Sequence, residues 1–440
     1  MQLQMYWEVQ YMNMHDYLMT VSEQIRCQRA WPMIEKELRD HIEDQKIDCM
    51  AEGMTEKEAE EEAVRQMGDP EETGMSLNQI HRPRMDWKLL AVAFLLAAVG
   101  LLLQWMTYQQ PDSAYKAAEV WRQVRYSAAG FVIMILLCFM DYSLIGRYAG
   151  RIWLAVLGLE VFTYAVNVMW YRGIWINGGI YSYGALIDCL LLPAFAGMLW
   201  SGRGSKEKGI AKSAGWLLVI GILFLLPFQN HIYAPVVFGI CGTMLCVTVW
   251  KGWFFQKQNQ KKDKKQIRIF LGLIFLTAVG ALLLAWYTGN HFIPMEYSQT
   301  VRENVQSLAA MDKVGVDLTG SELEWTRFDV RGDFLWLYLF YRFGMAPVTL
   351  LTVLAVLFLV FLFLAVFRQK NRLGFLIGLG CVSFVAVQII WYLGSNLGLL
   401  PSGQGYMPFC TIGGTNMTVT YIYTGLLLSV YRNSRVVKNS

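Results

Sequence analysis

The run LLAVAFLLAAVGLLLQWM, residues 89–106, holds no charged side chain, and it is one of about ten such runs, each near the roughly 20 apolar residues that an α-helix needs to cross a bilayer. In lipid no water pairs with backbone N–H and C=O groups, so a chain built this way folds as a bundle of spanning helices. Composition agrees: only 16% of the 440 residues are charged, where a soluble domain carries about 25%. The charges are dense up to Arg84 and sparse in the long apolar runs beyond it. The expected fold is all-α, a polytopic membrane helix bundle preceded by a helical domain, with a first domain over 1–86 and a transmembrane domain over 87–435.

Candidate spans lie near 88–106, 128–146, 150–169, 184–200, 214–230, 233–254, 268–288, 334–367, 373–394 and 408–431. Residues 1–85 contain no short apolar run with a small-residue cleavage site, so the N-terminus is expected in the cytoplasm. On that assumption the inside segments are GRYAGR, SGRGSKEKGIAK, KQNQKKDKKQIR, RQKNR and the tail YRNSRVVK. All are basic, as cytoplasmic loops should be. Both termini are then cytoplasmic, and the large loop 289–333 lies outside the membrane with Asp333 at its end. No span shows the paired intramembrane charges expected of a transporter, and nothing suggests a nucleic-acid partner. The eight cysteines read as small hydrophobes, since no pair has metal-ligand spacing with histidine support.

In the first domain, Ile34, Leu38 and Ile42 recur on one helical face. Gly53 closes that helix, Thr55 with Glu58 makes a capping box that opens a second through Met67, and Gly68-Asp69-Pro70 starts a third. The expected unit is a small acidic bundle of three or four helices with no catalytic constellation. The segments ELRDHIEDQ, AEGMTEKEAEEEAVRQMGDP and IHRPRMDW resemble the permease prefix domain of bacterial membrane proteins. That resemblance implies a regulatory role and a cytoplasmic protein as partner.

Asp333 and Phe334 open a candidate helix with Gly344 eleven residues after the Asp, and QIIWYLGSNLGLLPSGQGYMPFCTIGGTN follows; on these motifs the last hundred residues resemble the SEDS family of cell shape, division and sporulation proteins, the FtsW/RodA/SpoVE type. Asp333, Phe334 and Gly344 keep the family's Asp-Phe helix start and the Gly that follows eleven residues later. In QIIWYLGSNLGLLPSGQGYMPFCTIGGTN, the residues Gln388, Gly394, Asn396, Gly398, Leu399, Leu400, Pro401, Pro408, Phe409, Gly413, Gly414 and Thr415 keep its spacing. The resemblance implies peptidoglycan glycosyltransfer at the outer face of the bacterial cytoplasmic membrane. The substrate would be lipid II, a disaccharide-pentapeptide on undecaprenyl pyrophosphate, met among membrane lipid, and the partner a class B penicillin-binding protein. Asp333 is the expected general base. The pyrophosphate leaves as an anion and needs no acid, so one carboxylate suffices, unlike the glycosidase pair. Substrate contacts are expected from Arg172, Trp175, Gly179, Gln388, Asn396, Pro408, Gly413, Gly414 and Thr415. No metal ligands are identified; a divalent cation such as magnesium would suit the developing charge.

Plainer roles stand beside these. An Asp ahead of a helix is a good N-cap, Gly413 and Gly414 suit close helix packing, and Gln388 and Asn396 need partners at membrane depth. The family's Gln-Pro-Ser-Glu and Lys positions hold Gly184, Ala185, Leu186, Ile187 and Leu190, its Arg is Ile174, and its Gln-Pro-Asp is reduced to Gln229, Asn230 and His231. Arg172 is the nearby substitute for the missing Arg, and Arg122, Arg125, Arg331 and Arg342 are further outer cations. These departures support a second expectation, a non-catalytic scaffold or regulator of cell wall assembly.

Overall fold

The computed structural model describes residues 12–26, 31–81, 85–108, 117–172, 183–226, 231–255, 264–292, 332–369, 371–400 and 405–433. Two compact units result, one within Met1–Met85 and one over Asp86–Tyr431. Regular structure among the described residues is entirely helical.

The first unit comprises α1 (Met14–Gln24), α2 (Trp31–Ala51), α3 (Glu56–Gln66) and α4 (Pro70–His81). Tyr17, Val21, Ile25, Ile34, Ile42, Ala63 and Val64 form its core, with Leu38 packed on the edge. The Glu58 carboxylate accepts from the Thr55 N–H at 3.1 Å and from its hydroxyl at 2.6 Å, so the expected start of α3 is made by the residues that signalled it.

The second unit contains α5 (Trp87–Tyr108), α6 (Ala117–Phe139), α7 (Ser143–Arg147), α8 (Ala149–Tyr171), α9 (Gly184–Ser201), α10 (Lys206–Leu223), α11 (Ala234–Trp250), α12 (Lys264–Phe292), α13 (Leu335–Phe343), α14 (Met345–Phe367), α15 (Arg372–Asn396) and α16 (Gly414–Arg432). Among the described residues α5, α6, α8, α9, α12, α14 and α15 are long and apolar enough to cross a membrane, while α11 is apolar but has 17 residues. This is a polytopic helical membrane protein. α9 and α15 lie inside the bundle, and α12 turns Leu271, Phe275, Leu282, Leu283 and Trp286 outward. Such a face is stable only where the solvent is lipid.

Three expected spans differ in detail. The span at 334–367 is two helices, because Gly344 adopts φ 77 and ψ −163 and serves as the C-cap of α13 and the N-cap of α14. The span near 128–146 is the helix α6 followed by the short α7. The span at 408–431 begins later, because 405–413 is a buried non-helical strap ahead of α16. The seven described cysteines are free and buried, as expected of small hydrophobes.

Candidate functional site

The first turn of α13 fixes the position of Asp333. Phe334 is the N-cap, and its side chain makes no cap hydrogen bond. The Trp336 N–H instead donates to the Tyr392 hydroxyl at 3.0 Å, and the Leu337 N–H donates to Asn396 Oδ1 at 3.1 Å. Two side chains of α15 therefore serve the first turn, a duty that sequence position alone offers to Asp333. Asn396 also donates through Nδ2 to the Asp333 backbone oxygen, 2.8 Å away. The Asp333 residue is half-buried, and it lies within electrostatic reach of the Tyr233 and Tyr392 phenols.

The strap 405–413 forms the adjoining structure. Its residues from Tyr406 to Thr411 are buried, and non-helical backbone at membrane depth is tolerated only where the protein satisfies it. Gln104 of α5 donates to the Cys410 oxygen at 2.7 Å, and Gln123 of α6 donates to the Thr411 oxygen at 3.3 Å. Gly100 brings α5 close enough that a Cβ there would stand 2.5 Å from the Phe409 oxygen. Phe409 holds φ at 63, a left-handed conformation unusual for an aromatic residue. Its ring is packed edge-on against Phe358 and Tyr421. Where the strap ends, the Tyr233 hydroxyl donates to Asn416 Oδ1 in the first turn of α16.

The expected residues divide accordingly. Asp333 and Asn396 are in direct contact. Pro408 and Gly413 lie on the strap, and Gly414 and Thr415 open α16 next to Asn416. Tyr233 links that helix start to the surroundings of Asp333. Gln388 is fully buried in α15, and neither amide atom has a partner among the described residues. Arg172 follows α8 and is exposed. Trp175, Gly179, Ile174, Gln229, Asn230 and Arg331, and most of the loop 289–333, lie outside the described residues. Tyr233, Tyr392, Gln104, Gln123 and Asn416 were missed by sequence reasoning. The two glutamines in apolar helices were the available signal, since a buried amide requires a partner.

The departures from the family pattern are also placed. Ala185 and Ile187 are buried in α9, so these positions offer the substrate no polar group. One residue on, Asp188 is buried against His231 Nδ1 at 3.0 Å, with Glu160 of α8 beside them. Glu160 and Asp188 lie singly on the neighbouring spans α8 and α9, and single-span hydropathy does not reveal such a pairing between spans.

Comparison with known proteins agrees with the motif register. The profile of the family described as cell cycle protein, FtsW/RodA/SpoVE, matches residues 303–436. Stage V sporulation protein E of Bacillus subtilis is 25% identical over 385 residues, covering 80% of this chain and 98% of the relative. A solved peptidoglycan synthase complex, described as coordinating polymerization and crosslinking, contains a chain with 20% identity and a TM-score of 0.55; the match covers 80% of this chain and 98% of that one. The rod shape determining protein RodA of Thermus thermophilus has 20% identity and a TM-score of 0.52, over 80% of this chain and 97% of its own. With the fold, the Asp333 to Gly344 register and a match along nearly the whole of a relative in hand, the chain is similar to the FtsW/RodA/SpoVE family in its membrane unit, and its residues 303–436 match that family's profile.

Proposed function

We propose that this membrane protein of the cell cycle, cell shape and peptidoglycan synthesis family is itself a peptidoglycan glycosyltransferase that polymerises lipid II. The observation that carries this reading is the setting of Asp333: α15 caps α13, and the Asp333 backbone is pinned by Asn396 at 2.8 Å. A carboxylate held in this way can take the proton of an acceptor sugar hydroxyl as its oxygen bonds to the donor's anomeric carbon. The bond from that carbon to the pyrophosphate breaks, and the undecaprenyl pyrophosphate departs with the electron pair. Tyr233, Asn416 and the residues Gly413, Gly414 and Thr415 supply hydroxyl, amide and backbone groups for the sugar.

Asp333→Asn tests the assignment in a reconstituted lipid II polymerisation assay. The amide is not basic at neutral pH, so the rate should fall by about 10²- to 10⁴-fold, while thermal stability stays near wild type. Wild-type polymerisation by this variant would remove Asp333 from the chemistry.

A second reading, a scaffold of cell wall assembly without catalysis, is favoured by the apolar, buried Ala185 and Ile187. It takes the lead if the wild type is inactive with its partner present. In either case a crosslinking partner of the class B penicillin-binding type fits the solved complex, with the N-terminal unit as a cytoplasmic regulatory module.

A further inference from the structure

Glu160 in the middle of α8, Asp188 in the second turn of α9 and His231 in the connection before α11 converge inside the second unit. They are 2%, 0% and 1% exposed. His231 Nδ1 lies 3.0 and 3.2 Å from the two Asp188 oxygens, the Glu160 carboxyl hydrogen bonds to Asp188, and one donor atom from each residue lies within 4.8 Å of the others. Two carboxyls and an imidazole enclosed in an apolar bundle are costly to bury. Helix packing alone does not require them. A second observation concerns the groups left over. His231 Nε2 is buried with no partner among the described residues. Asn167, two turns along the same face of α8 from Glu160, is 2% exposed, and both of its amide atoms likewise have no partner among the described residues. Buried polar atoms in native proteins are nearly always satisfied by protein, water or ligand.

The geometry points to a binding site for one divalent transition-metal ion, held by the carboxylates of Glu160 and Asp188 and the imidazole of His231. A dication cancels both carboxylate charges where water is excluded. One nitrogen and two carboxylates suit zinc or manganese better than magnesium or calcium, which favour oxygen-only shells. Ligand atoms about 2.0–2.1 Å from such an ion stand roughly 3.0–3.4 Å apart. The 3.0 Å between His231 and Asp188 already matches that edge. Glu160, whose ligand atom lies within 4.8 Å of the other two, completes the set by a side-chain rotation, and the His231 Nε2–H then orients the ring through a further acceptor or a water. The ion would tie α8, α9 and the entry to α11 together, two residues before Tyr233. This inference does not depend on glycosyltransfer.

The test uses full-length, tag-free protein in detergent, stripped with chelator and given Zn²⁺, Mn²⁺ or Mg²⁺. One Zn²⁺ or Mn²⁺ per chain should bind in preference to Mg²⁺ and raise the unfolding temperature. Glu160→Gln, Asp188→Asn and His231→Gln should each weaken binding by about tenfold or more, while His41→Gln on the exposed surface of α2 should not. Because these variants could fold poorly, bound Mn²⁺ in the wild type should also show magnetic coupling to one imidazole nitrogen. If the wild type binds neither Zn²⁺ nor Mn²⁺, if no nitrogen coupling appears, or if the three variants bind like wild type, the metal site is refuted and the three groups form a proton-sharing cluster.

Discussion

Asn396 commits its one amide to three backbone groups: it donates to the Asp333 and Tyr392 oxygens, each at 2.8 Å, and accepts from the Leu337 N–H. Replacing it with Ala leaves buried partners unpaired, at about 1–3 kcal/mol for each stranded group. Asn396→Ala should therefore lower the unfolding temperature in detergent. Under the glycosyltransferase reading it should also reduce kcat more than KM, because the Asp333 backbone loses its anchor. At this scale the sequence marked Asp333 and Asn396 separately. Their contact spans 63 residues, and no local pattern encodes it. The same is true of Gln104 and Gln123, whose chain partners lie 306 and 288 residues away.

At the scale of elements, Gly344 is the joint between α13 and α14. Its φ of 77 with ψ near −163 lies in a region open essentially to Gly. Gly344→Ala should destabilise the protein by about 1–3 kcal/mol, seen as a lower melting temperature, or straighten the joint and displace α13. In the first unit, the Thr55 hydroxyl and then the Thr55 N–H hold the Glu58 carboxyl below its usual value. A carboxylate depressed on folding stabilises α3 above its unfolded pKa of about 4.3 and loses that contribution as pH falls through the folded value. Hydrogen-exchange protection in the first turn of α3 should drop as pH falls below about 4.3, and Glu58→Gln should abolish the drop. Helices and caps of this kind were legible because their signals lie within a few residues. The break at Gly344 and the strap at 405–413 were not, because an apolar run reads alike whether the backbone is helical or held open by other helices.

For the whole molecule, the basic loops predict an arrangement with both termini inside. Ser205→Cys, at an exposed position, should resist an impermeant thiol reagent in intact cells, and Ser321→Cys in the large loop should react; the reverse pattern would invert the orientation. The sequence by itself determined that this chain is a helical membrane protein, roughly where its spans fall, and which carboxylate sits in the family register. Apolar length, charge distribution and motif spacing are local properties of a chain. Only the tertiary structure decided that α15 caps α13 on behalf of Asp333, that Gln104 and Gln123 support a non-helical strap, and that Glu160, Asp188 and His231 share one buried site. Each of these arises from polar groups on distant segments that must pair with one another, because neither lipid nor the apolar interior will.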